Sequence, residues 1–84
     1  DAQNKYLKLL RTGKETQESL EYLANTYFNN SQYDKAVTWY NKLLVKYPEE
    51  VSAENLFRAS LSFKSVGAYD VSDDLMRKYL KIII

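Results

Sequence analysis

Apolar residues along this chain recur at steps of three and four, the spacing that keeps them on one face of a helix. Tyr33, Ala36, Tyr40, Leu43, Leu44 and Tyr47 form one such stripe, and Pro48, the single proline, cannot extend it. No stretch alternates apolar and polar residues in the manner of a strand. The pattern predicts five helices, over 1–12, 16–30, 33–47, 51–65 and 69–82. Acidic residues gather where three of them begin: Glu15 and Glu18, then Glu49, Glu50 and Glu54, then Asp70, Asp73 and Asp74. Carboxylates there complement the partial positive charge of a helix N-terminus. Gly67 falls in the tight turn before the last helix, where a positive φ costs glycine nothing.

The stripes repeat. Shifted by 36 residues, Ser31-Gln32-Tyr33-Asp34 falls on Gly67-Ala68-Tyr69-Asp70, Leu20 on Leu56, Tyr27 on Phe63, Ala36 on Ser72 and Leu44 on Leu80. A shift of 34 places Ala2 on Ala36, Tyr6 on Tyr40, Leu9 on Leu43 and Leu10 on Leu44. The two periods differ because Lys14 to Leu20 spans six residues and the matching Pro48 to Leu56 spans eight. Loops absorb such insertions at little cost.

In units of 34 residues the stripe of the middle repeat is Leu20, Leu23, Ala24, Tyr27, Ala36, Tyr40, Leu43 and Pro48, followed in the next by Leu56, Ala59, Ser60, Phe63, Ser72, Met76 and Tyr79. This resembles the tetratricopeptide repeat (TPR), a helix–turn–helix unit of 34 residues. The resemblance implies an all-α, right-handed solenoid of five antiparallel helices, half a repeat plus two full ones. Residues 1–14 would be the second helix of a truncated repeat, and 15–50 and 51–84 the two complete units. It also places Ala24 and Ala36 where two helices approach most closely, with Tyr27, Tyr33 and Tyr40 filling the space around them. Tyr6, Phe63, Tyr69 and Tyr79 take packing positions as well. The chain opens inside a predicted helix and ends on Ile82, Ile83 and Ile84, which gives the expectation of a segment taken from a longer polypeptide.

Composition narrows the chemistry. The 84 residues allow one small core. No cysteine and no histidine are present, which removes the thiol nucleophile, the usual general base and the commonest zinc ligands. Gly13 and Gly67 alone cannot build a phosphate loop. Asp70, Asp73 and Asp74 read as the solvated first turn of a helix rather than a calcium site. The expectation is therefore no catalytic residue, no metal and no cofactor. Twelve basic and eleven acidic residues leave a net charge of +1 without a basic stripe, which argues against nucleic acid as a partner. No apolar run is long enough to cross a bilayer.

What remains is a binding surface. In the TPR family the concave groove is lined by fixed positions of each first helix, and partner peptides lie there. Carried over, they are Glu18, Glu21, Tyr22, Asn25, Phe28 and Asn29, then Glu54, Phe57, Arg58, Leu61, Lys64 and Ser65. The bland alternative for any one of them is packing against a neighbouring repeat. Asn25 and Arg58 match two positions of the family's carboxylate clamp, but Glu21 and Glu54 stand where lysines are required and would repel a carboxylate. A partner segment with apolar anchors and some basic residues fits better. The resemblance thus implies a non-enzymatic protein–protein scaffold that binds another protein or peptide segment. A structural spacer, or a glycan- or peptidoglycan-associated module using Tyr22, Phe28, Trp39 and Phe57, is the alternative. The stretch from Tyr27 to Glu50 is further similar to the N-terminal TPR segment of OmpA-like envelope proteins of Bacteroidetes. That likeness implies a periplasmic module of an outer-membrane-associated complex; a cytoplasmic location is the alternative.

Overall fold

The computed structural model describes residues 16–84, and it is all-helical over that span: α1 (Gln17–Asn29), α2 (Tyr33–Lys46), α3 (Ala53–Ser65) and α4 (Tyr69–Ile83). The predicted first helix, with Tyr6, Leu9 and Leu10, lies outside the described residues, as does Glu15. Successive helices pack antiparallel. α1 pairs with α2 and α3 with α4, while α3 also lies against α2 and α1.

Local chemistry sets the boundaries. Thr16 and Ser19 form a capping box, each side-chain oxygen accepting the other's backbone N–H at 3.1 Å. Ser52 caps α3 by accepting from Asn55 N–H at 3.2 Å, so that helix begins at Ala53 rather than at the predicted 51. Asn55 holds the position that Ser19 holds in α1, but it does not complete a box. Its Oδ1 is buried and has no hydrogen-bond partner. α2 ends at Lys46, because a residue before proline is driven out of helical geometry, and Tyr47 accordingly has ψ 57°.

The two interhelical turns are built alike. After α1, Gln32 N–H reaches Tyr27 O at 2.9 Å and Ser31 N–H reaches Phe28 O at 3.0 Å. After α3, Ala68 N–H reaches Phe63 O at 2.9 Å and Gly67 N–H reaches Lys64 O at 3.1 Å. Both are Schellman motifs, which require a left-handed residue one position past the cap. Gly67 takes that role at φ 86°, and Ser31 takes it at φ 60°. α2 and α4 start directly out of these turns, with no side-chain cap on Gln32 or Ala68.

Leu20, Ala24, Ala36, Tyr40, Leu43, Leu56, Ala59, Phe63 and Leu75 form the core. Ala24 and Ala36 are completely buried beside Tyr40, and Tyr27 packs half-buried against them. In the α3–α4 hairpin the equivalent residues are serines. Ser60 and Ser72, both buried, hold the two backbones together through their hydroxyls. Two expectations need correction. Tyr69 is 62% exposed, not core. Its repeat mate Tyr33 packs edge-on against Phe28, centroids 5.6 Å apart, but the residue equivalent to Phe28 is Lys64, which offers no ring to pack on. In α4 the deepest apolar side chain is Leu75, while Met76 is only half-buried and lines a shallow depression beside Ser60 and Ser72.

Candidate interaction groove

α3 starts and α4 finishes at the same end of their hairpin, and a cavity opens there. Ala53, Glu54, Phe57 and Arg58, spaced i, i+1, i+4 and i+5, present one face of the first turns of α3. Tyr79 and Ile83, spaced i and i+4, close it from α4, and Phe28 closes it from the last turn of α1. The enclosed volume is about 410 Å³, within the range of small-ligand and side-chain pockets.

The walls are aromatic. Phe57 leans on Tyr79 with centroids 5.1 Å apart and rings tilted by 44°, yet it remains 38% exposed. Phe28 is fixed from behind by its edge contact with Tyr33. The polar groups are few and placed together. Arg58 is half-buried and pairs with the exposed Glu54 at 3.7 Å, one turn apart on α3. Behind it lies Tyr40, whose hydroxyl donates to Asn25 Oδ1. Burial pushes the Tyr40 phenol well above its usual range, and the Arg58 cation opposes that shift only in part.

The residues expected in the groove are thus divided. Phe28, Glu54, Phe57 and Arg58 converge on one cavity. Leu61 and Lys64 face a separate depression of about 180 Å³ with Tyr69, Asp73 and Met76. Glu18 and Asn29 are exposed at opposite ends of α1. Glu21 accepts from Gln17 Nε2 at 3.0 Å, and Tyr22 is half-buried with its carbonyl accepting from Thr26 Oγ1 at 2.7 Å. Asn25 is committed to Tyr40 and faces the core side rather than the cavity mouth. Tyr22 and Asn25 therefore do not extend the cavity as expected. Tyr79 and Ile83 do, and sequence reasoning assigned Tyr79 to packing alone. Their signal was the i, i+4 pairing at the end of α4.

Searched against protein-family models, curated proteins and solved structures, the chain matches none of them. Among the described residues no three carboxylates, imidazoles or thiols converge as metal ligands. No helix among them is long and apolar enough to cross a membrane. Trp39, half-buried on α2 with the Lys42 ammonium 4.7 Å from its ring centroid, does not line the cavity.

Proposed function

We propose that the chain is a segment of a right-handed TPR solenoid and works as a non-enzymatic scaffold that holds a segment of another protein. The paired 34- and 36-residue offsets and the two matching Schellman turns support the repeat. The observation that carries the binding role is the Phe57–Tyr79 shelf beside the Arg58–Glu54 pair. An aromatic left partly exposed over a cavity of about 410 Å³ anchors an apolar side chain, and one adjacent cation–carboxylate pair orients the segment that carries it. The likeness of 27–50 to envelope TPR segments supports a place in an outer-membrane-associated periplasmic assembly.

A displayed library of linear segments, followed by titration of the enriched sequences, tests this reading. Phe57→Ala should lower affinity by tenfold or more, an anchor's share of at least about 1.4 kcal/mol, with little change in thermal midpoint. Arg77→Ala, at an exposed position on α4, should change neither. If Phe57→Ala lowers the midpoint sharply and folded molecules keep full affinity, Phe57 is a packing residue and the groove is not the site.

A further inference from the structure

A second open surface lies on the flank of α4. Val71 and Ile82 are 42% and 58% exposed, and they stand at two ends of one stripe that runs through Asp74 and Lys78. Leu44, Pro48 and Val51 continue it across a groove of about 480 Å³. The charges on α4 are sorted by position. Asp70, Asp73 and Asp74 occupy its first half, and Arg77, Lys78 and Lys81 its second. Among the described residues, Asp74, Lys78 and Lys81 enter no salt bridge, although Asp74 and Lys78 are one turn apart.

We propose that this surface is a self-association seam, on which α4 of a second copy lies antiparallel. The stripe is self-complementary in that orientation only. Its midpoint falls between Met76 and Arg77, so an antiparallel crossing there sets Val71 of each copy against Ile82 of the other. Asp74 then lies at the level of the second copy's residue 79, within about 1.5 Å along the axis of its Lys78 and about 3 Å of its Lys81. Two-fold symmetry forms each pair twice. A parallel arrangement opposes acids to acids and bases to bases. With a charge of +1 per copy, long-range repulsion does not prevent the approach. A seam about 22 Å long, the length of one 15-residue helix, is shorter than the interfaces of tight dimers. Association is accordingly weak and concentration-dependent.

Sedimentation equilibrium over a wide concentration range, with helicity followed by circular dichroism, tests the seam. The chain should rise from the mass of one copy to that of two and stop there. Val71→Asp should leave it monomeric. Asp74→Lys alone and Lys78→Asp/Lys81→Asp together should also each be monomeric, and mixing the two proteins should restore a dimer containing one of each. If Asp74→Lys loses helicity, Lys81→Glu replaces it, with the same loss of dimer expected. A monomer at all concentrations, an association untouched by Val71→Asp, growth beyond two copies, or failure of the mixture to pair would each overturn the proposal.

Discussion

Ser60 and Ser72 exchange hydrogen bonds across the α3–α4 contact, each hydroxyl donating to the other's backbone carbonyl, at 2.9 and 2.8 Å. The same two positions in the α1–α2 hairpin are Ala24 and Ala36, both fully buried. One close approach is therefore made twice, once with methyl groups and once with a pair of hydroxyls. Small side chains are what the approach requires. The hydroxyls are tolerated because each finds a partner.

That pairing sets an expectation for a double-mutant cycle. Ser60→Ala or Ser72→Ala removes one buried hydrogen bond and should cost about 1 kcal/mol. Removing both leaves an alanine pair like that of the preceding hairpin, and the double variant should lose less than the sum of the singles. Urea denaturation of the four proteins measures the coupling. Strict additivity would show that the two hydroxyls act independently.

Ser31 and Gly67 occupy the same left-handed position of the two Schellman turns, at φ 60° and 86°. Serine is strained there and glycine is not. Ser31→Gly should stabilise the chain by about 0.5–1 kcal/mol, a rise in thermal midpoint of several degrees for a domain of this size. Gly67→Ser should do the reverse by a similar amount. No atom lies within 4 Å of a Cβ placed at Gly67, so its cost is one of backbone conformation, not of collision. Unchanged midpoints in both variants would remove the conformational account of the turns.

Tyr40 predicts a pH dependence. Burial holds its phenol protonated in the folded chain to a pH well above the value of 10 for the free group. Once pH passes that value the unfolded chain releases the proton and the folded chain does not. Stability then falls as pH rises. Below it the term is constant. Tyr40→Phe should cost about 1 kcal/mol at neutral pH, through the lost bond to Asn25, and the gap between the two proteins should narrow above about pH 10. Urea midpoints at pH 8 and in the alkaline range decide it. A gap that stays constant would mean that Tyr40 ionises in the folded chain as freely as in the unfolded one.

Helix existence and most of the core were legible in the residues. Steps of three and four marked α1 to α4 within two residues at each end, and Ala24, Ala36, Tyr40, Leu56, Ala59 and Phe63 are buried as their spacing required. The groove was half legible. Phe28, Glu54, Phe57 and Arg58 do converge, but Tyr22, Leu61 and Lys64 do not join them. Position within a helix says which face a residue takes, and it does not say which neighbouring helix covers that face.

The sequence by itself determined periodicity, turn chemistry and the places where backbones come close, because these depend on residues a few positions apart. Pro48 ends α2 and Gly67 permits the turn into α4 whatever packs around them. Only the tertiary structure decided what is exposed at Tyr69, and what meets Phe57. Tyr69 stands in solvent because Lys64 replaces the ring that shelters Tyr33. Phe57 finds Tyr79 across 22 residues of chain because α4 returns antiparallel and ends where α3 begins. Those contacts arise from helix against helix, and no local spacing encodes them.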